Sequence, residues 1–161
     1  MQPNIFLNKS FGKILFIIFD LICGYLIMKI NQMGCKKQDN LNRVVLVPLY
    51  FWFYNPITIA ISSRGNAESL MSFLVLLFVF YLKKRSYIAA GILYALSIHF
   101  KIYPVTYGLA VLFYLLKTKK PVYSYSIFSV IKSALLAKSV YMFGFSFLAM
   151  FALLTGFFYV K

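Results

Sequence analysis

The chain has few of the residues that most often carry chemistry in soluble enzymes. Its 161 residues include three acids, one histidine and two cysteines, and only 12% of them are charged. Ordinary soluble domains carry about 25% charged residues, so the composition argues against that class. The cysteines, Cys23 and Cys35, show no metal-ligand spacing and imply no disulfide framework. Each acid that stands in an apolar environment is therefore a candidate for a functional role or for a bond to a partner side chain.

Long apolar runs make up most of what is there. Hydrophobic residues are 62% of the chain and the mean hydropathy is +0.82. These values predict an all-α polytopic membrane protein with about six spans. The first, second and last runs reach the ~18–20 residues that a span needs, whereas the middle three are shorter. The short runs either extend into flanking polar residues or include a re-entrant pair. The candidate spans are 11–29, 44–61, 69–82, 86–100, 103–116 and 139–160.

The basic residues indicate which loops face the cytosol. The net charge is +14, and twelve of the seventeen basic residues fall in alternate loops, among them the 117–138 loop. This positive-inside pattern predicts that these loops are cytosolic, and it places residues 62–69 and 99–104 together on the opposite side. Nucleic-acid binding is a poor interpretation, because the basic residues flank spans and form no single aromatic-lined patch.

A polar segment at residues 62–69, the 62–69 cluster, separates two apolar runs. Its simplest interpretation is a loop and a helix start: Gly65 permits a turn, Asn66 caps the helix and Glu68 suits the helix dipole. That interpretation leaves unexplained why two charged residues stand beside the membrane, where charge is costly without a partner. Arg64 next to a helix N-terminus is also suited to binding a phosphate.

A second cluster, residues 99–104, follows the fourth run and includes His99, Lys101, Tyr103 and Pro104. Its simplest interpretation is an interfacial belt, in which Lys101 snorkels, Tyr103 anchors at the headgroups and Pro104 opens a helix. The functional interpretation is that Lys101 joins Arg64 on one membrane face. Two cations with adjacent aromatic side chains would suit a phosphate attached to a lipid.

Asp20 lies near the middle of the first apolar run. An acid at that depth costs about 2.5–3.5 kcal/mol on insertion scales. We therefore expect Asp20 to face the bundle and to be paired or protonated there. A structural hydrogen bond inside the bundle is the favoured interpretation.

The two clusters resemble the catalytic subunit of GPI mannosyltransferase I, the PIG-M family. The resemblance rests on NP at 55–56, SSRGNAES at 62–69 and HFKIYPVTY at 99–107, in the family's order and spacing. PN at 3–4, FGK at 11–13 and DL at 20–21 extend it over essentially the whole chain.

The resemblance implies part of a GT-C type transmembrane bundle in the endoplasmic reticulum membrane. It implies transfer of the first (α-1,4) mannose from dolichol-phosphate-mannose to glucosaminyl-(acyl)phosphatidylinositol on the lumenal side. It also implies a small membrane-anchored partner subunit, similar to PIG-X. No cofactor is certain, and a divalent metal stays open for the full-length family.

One family feature is missing from these residues. The family's acidic DXD-type motif precedes the matched part, and Asp20, Asp39 and Glu68 lie too far apart to form one. Glu68 is then the one acid predicted on the lumenal side that could deprotonate an acceptor hydroxyl. We expect an internal fragment or a truncated form that is inactive alone. The residues expected to bind substrate are Arg64, Asn66, His99, Lys101 and Tyr103, and no metal ligand is expected.

Two other functions stay open at this point. A polytopic transporter would also have short, proline-interrupted spans and an intramembrane acid. A non-catalytic fragment would bind the partner subunit or compete with the full enzyme, and it would not restore GPI anchoring by itself.

Overall fold

The computed structural model describes residues 11–34, 41–64, 67–117 and 137–159, and every regular element in those ranges is helical. This confirms the all-α class. The chain divides into two compact units, Met1–Lys84 and Arg85–Lys161. The first unit holds α1 (Phe11–Gln32), α2 (Leu41–Phe53), α3 (Pro56–Arg64) and α4 (Glu68–Lys83). The second holds α5 (Tyr87–Phe100), a 3₁₀ helix (Tyr103–Tyr107), α6 (Gly108–Lys117) and α7 (Lys138–Tyr159).

Within the described ranges, two helices are long and apolar enough to cross a bilayer, Gly12–Gln32 and Lys138–Tyr159, and they overlap the first and last predicted spans. Tyr87–Phe100 and Tyr103–Leu116 are apolar but shorter. The count of six spans and the sides of the loops stay predictions. The predicted cytosolic loop 117–138 lies outside the described residues except at its ends.

The second apolar run, 44–61, differs from the single helix that its length suggests. α2 ends at Phe53 and α3 begins at Pro56. Proline disfavours helical backbone in the residue before it, and it is well placed at the first position of a new helix. Asn55 completes the break, because its Oδ1 accepts the Ile57 amide at 2.9 Å and so caps α3.

The first unit is built around the packing of α1 against α4 and α2. Cys23 and Leu26 of α1 are buried, as are Met71, Leu74 and Phe78 of α4, whose spacing puts them on one helix face. The rings of Phe19 and Phe73 extend this contact, with centroids 5.2 Å apart. The large side chains on the other face of α1 are exposed, as expected of a helix that meets lipid. They include Ile14, Ile18, Leu21 and Tyr25.

The second unit rests on close packing of α5 against α7. Gly91 allows this approach: a Cβ there would lie 2.6 Å from the carbonyl oxygen of Phe143 and closer still to Ser146 Oγ. Small residues let helix backbones approach each other in this way in membrane proteins. One turn further along α5, the Tyr94 ring packs on Phe143 and Phe147, at 5.8 and 5.3 Å between centroids.

Candidate functional site

The 62–69 cluster ends in the first turn of α4. Glu68 is the first residue of that helix, and the sequence predicts this place for an acid that suits the helix dipole. Its side chain is half-buried. The predicted cap was wrong: Ala67 is the N-cap, because α4 begins one residue later than a cap at Asn66 requires. Ala67 makes no side-chain capping bond, since alanine has no acceptor to offer.

Ser69, the second residue of α4, is bound by α1. Its hydroxyl donates to Asp20 Oδ2 at 2.9 Å, and both side chains are buried. The Cys23 thiol lies 3.9 Å from the Ser69 carbonyl oxygen, a long contact even for sulfur. Trp52 of α2 donates its indole N–H to the Asp20 carbonyl at 3.3 Å. Asp20, Cys23, Trp52 and Ser69, the Asp20 network, thus join three helices of the first unit.

The Asp20 network confirms that Asp20 faces the bundle with a hydrogen-bond partner. The partner, Ser69, was not identified from the sequence. A signal was available, because an acid in an apolar run requires a polar partner and Ser69 stands at the edge of a neighbouring run. Choosing Ser69 over other hydroxyl residues required knowing that α1 packs on α4.

The predicted phosphate site at the start of α4 stays a prediction, and two carboxyl groups lie near that helix end. The Glu68 carboxyl belongs to the first turn, and the Asp20 carboxyl is bonded to the next residue. The side chain of Arg64 and the whole of Asn66 lie outside the part that the structure describes, so their substrate contacts stay predictions.

The 99–104 cluster covers the end of α5 and the start of the 3₁₀ helix. His99 is exposed in the last turn of α5, and its ring lies 5.0 Å from that of Phe158 of α7. Lys101, which follows α5, is half-buried, whereas Tyr103 at the start of the 3₁₀ helix is exposed. All three are near neighbours on one short segment, as expected from their spacing.

Tyr94 holds the 3₁₀ helix against α5. Its hydroxyl lies 3.2 Å from the Pro104 carbonyl oxygen and 3.3 Å from that of Val105, so it can donate to either. Pro104 is buried at this contact. The sequence does not distinguish Tyr94 as a functional residue, because one tyrosine among 13 carries no local signal of its own.

An apolar cavity of about 600 Å³ lies at the break between α2 and α3. It is lined by Tyr50, Phe51, Tyr54, Asn55 and Pro56. The described ranges contain no group of three or more His, Cys, Asp or Glu side chains that could hold a metal ion.

Comparison with known proteins decides the family. The family model described as Mannosyltransferase (PIG-M) matches residues 61–161, which contain the whole of the 62–69 cluster and the whole of the 99–104 cluster. The chain belongs to the PIG-M mannosyltransferase family. This confirms the resemblance drawn from the motifs, and the family and the apolar helices together indicate a membrane protein.

Curated relatives of this PIG-M family chain are named as GPI mannosyltransferases. GPI mannosyltransferase 1 of Kluyveromyces lactis is 44% identical over 117 residues, 72% of this chain and 28% of the relative. Its counterpart in Saccharomyces cerevisiae is 44% identical over 110 residues, 68% of this chain and 26% of that protein. In Danio rerio, "GPI alpha-1,4-mannosyltransferase I, catalytic subunit" is 38% identical over 111 residues, 69% and 27% of the two chains.

The chain spans about a quarter of the length of these curated relatives. No solved structure matches it. Asp20 precedes the residues matched by the PIG-M family model, whereas Ser69 lies within them.

Proposed function

We propose that this chain forms part of a mannosyltransferase of GPI-anchor biosynthesis. The observation that carries the proposal is the family match over residues 61–161, which includes Glu68, His99, Lys101 and Tyr103. The proposed reaction moves the first (α-1,4) mannose from dolichol-phosphate-mannose to glucosaminyl-(acyl)phosphatidylinositol. The proposed place is the lumenal side of the endoplasmic reticulum membrane, within a multi-pass GT-C type bundle of about six spans in this chain.

Glu68 is the proposed general base of this chain. As the acceptor hydroxyl attacks C1 of the mannose, the new C1–O bond forms and the bond from C1 to the dolichyl phosphate oxygen breaks. The acceptor proton passes to a carboxylate, and the dolichyl phosphate leaves with its electron pair. The half-buried place of Glu68 in the first turn of α4 supports this role, because it puts a carboxyl group at the polar end of that helix, within the residues matched by the family model.

Arg64 and Lys101 are the proposed phosphate ligands. Each would stabilise the charge that develops on the leaving phosphate, and a guanidinium can bind two phosphate oxygens at once. His99, Tyr103 and Asn66 would contact sugar hydroxyls. The exposure of His99 and Tyr103 supports these roles, because both side chains are accessible within the second unit. This requires the two clusters to share one membrane face, as the charge pattern predicts.

The relatives supply the partner part of the proposal. The fish relative is named as a catalytic subunit, which implies an assembly with at least one other chain. We propose that this chain's full-length form works with a small membrane-anchored subunit similar to PIG-X.

Alanine substitutions in a full-length relative test the proposal. The residues of the Saccharomyces cerevisiae protein aligned with Arg64, Glu68 and Lys101 are changed one at a time, and surface display of GPI-anchored proteins and mannose transfer in microsomes are measured. We expect each substitution to lower transfer by about a hundredfold or more, the usual cost of removing a base or a charge-stabilising group. The control is the residue aligned with Thr155, whose exposed hydroxyl bonds within α7. Normal display and transfer in all three variants would contradict the proposed site.

A further inference from the structure

We propose that Asp20 is a positioning residue for Glu68, acting from α1 through Ser69. The inference rests on the proposed function for the role of Glu68, and it assigns work to a residue outside the range matched by the family model. Asp20 is not itself a catalytic residue, because its carboxyl group is buried and bonded within the first unit.

The N-cap of α4 is Ala67, whose side chain offers no hydrogen-bond acceptor. The first amides of a helix have no partner inside the helix, and a side-chain oxygen at the N-cap usually satisfies one of them. The Ala67 side chain makes no such bond, so it does not fix the direction in which α4 begins.

Asp20 instead holds the residue next to Glu68, which is Ser69. Its Oδ2 accepts the Ser69 hydroxyl at 2.9 Å, and Ser69 is only 2% exposed. One turn along α1, the Cys23 thiol faces the Ser69 carbonyl. α1 therefore contacts both the side chain and the main chain of Ser69, which leaves the first turn of α4 little freedom to rotate.

Fixing Ser69 fixes Glu68. The two residues share a peptide bond and a helical turn, and the backbone of a helix sets the direction of each side chain. A rotation of this turn would swing the Glu68 carboxylate away from the acceptor hydroxyl. A displacement of about 1 Å in a catalytic group can cost about a hundredfold in rate.

The carboxyl group of Asp20 is suited to this position. Its Oδ2 is an acceptor that reaches the Ser69 hydroxyl across the contact between α1 and α4. Asparagine offers an amide oxygen as acceptor at the same place and can keep this bond without a carboxyl group. Asparagine therefore separates positioning, which it should largely restore, from chemistry performed by the carboxyl group.

The test compares four variants of the full-length product of the gene that carries this chain, assayed in microsomes with dolichol-phosphate-mannose and glucosaminyl-phosphatidylinositol. Asp20→Ala and Ser69→Ala remove one side of the bond, and Asp20→Asn keeps an acceptor. Ser97→Ala is the matched control, because its hydroxyl is equally buried and bonds only within α5, to Tyr94 at 2.8 Å. The amount of folded protein is measured for each variant by size-exclusion in detergent.

We expect Asp20→Ala and Ser69→Ala to lower kcat by about tenfold to a hundredfold, with KM for both lipids within about twofold of wild type. Asp20→Asn should retain activity within about fivefold, and Ser97→Ala should match wild type. Any of three results would overturn the inference. They are a loss of activity that comes from a higher KM alone, an Asp20→Asn variant as inactive as Asp20→Ala, and a Ser69→Ala variant as active as the Ser97→Ala control. If Asp20→Ala does not fold, Ser69→Ala and Asp20→Asn decide.

A second readout separates this inference from the proposed function. Hydrogen exchange of amides 67–72 is measured in all variants, and Asp20→Ala and Ser69→Ala should exchange faster there than Ser97→Ala. Absence of mannosyl transfer by the wild-type product would reject the proposed function and leave the exchange result to decide whether Asp20 fixes this turn. Equal exchange in the variants and the control would overturn the positioning role.

Discussion

The two clusters are each tied to a buried side chain, but by groups of opposite kind. In the first unit, the Asp20 carboxyl accepts a bond from another side chain, the Ser69 hydroxyl. In the second unit, the Tyr94 hydroxyl reaches the main-chain carbonyls of Pro104 and Val105. A bond between two side chains depends on the identity of both residues. A bond to main-chain oxygen depends only on the donor and on the path of the backbone. The bond from Tyr94 should therefore tolerate a change of side chain at residue 105, whereas the bond from Ser69 to Asp20 should not tolerate a change at residue 69.

The largest effect on this comparison is expected from Gly91→Ala. The added Cβ would overlap Ser146 Oγ and lie 2.6 Å from the Phe143 carbonyl oxygen, so α5 and α7 must separate. Overpacking of this kind costs about 1–3 kcal/mol. The loss is measured as a lower melting temperature of the detergent-solubilised protein. The amides of residues 103 and 105–107 should also exchange faster, because the Tyr94 ring rests on α7.

Gly144→Ala is the matched control for that substitution. A Cβ at Gly144 meets no heavy atom within 4 Å, so no stability should be lost. Equal losses at both glycines would show that the close contact of α5 with α7 is not what Gly91 provides.

A smaller effect is expected from Tyr94→Phe. The ring keeps its contact with Phe147, while the carbonyls of Pro104 and Val105 lose a donor, at a cost of about 1 kcal/mol. Hydrogen exchange should increase at the amides of residues 103 and 105–107 and stay unchanged at those of residues 67–72. Tyr141→Phe, on an exposed part of α7, is the control. Faster exchange in both segments would mean that the two connections are not independent.

The smallest effect is expected from Lys83→Met. The Lys83 ammonium donates to the Ile30 carbonyl at 3.1 Å in an exposed position, where it caps the C-terminal end of α1. A cation at a helix C-terminus stabilises it by about 0.3–1 kcal/mol, and salt weakens the effect. Denaturation at low and high ionic strength measures the loss, with Lys84→Met as the exposed neighbouring control. A loss from Lys83→Met that does not depend on salt would contradict this account.

Local signals in the sequence predicted the helices better than the contacts between them. The charge near the start of α4 and the apolar runs indicated where helices lie, because these are properties of neighbouring residues. The break at Asn55-Pro56 is visible in the sequence, yet the length and mostly apolar composition of the run 44–61 predict one span. The bonds of Asp20 to Ser69 and of Tyr94 to the 3₁₀ helix depend on which helix faces compete for each partner. That choice is made by tertiary packing at sites such as Gly91, which the local pattern does not specify.

The 49-residue separation between Asp20 and Ser69 has a consequence for synthesis of the chain. At about 5–20 residues per second, α1 leaves the ribosome roughly 2–10 seconds before its partner exists. During that interval the Asp20 carboxyl group has no Ser69 hydroxyl to bind, and lipid chains offer no hydrogen-bond donor in its place. The Asp20 side chain therefore cannot have its observed partner until the chain has been made as far as the start of α4. The packing of α1 against α4 is then among the last contacts of the first unit to become possible during synthesis.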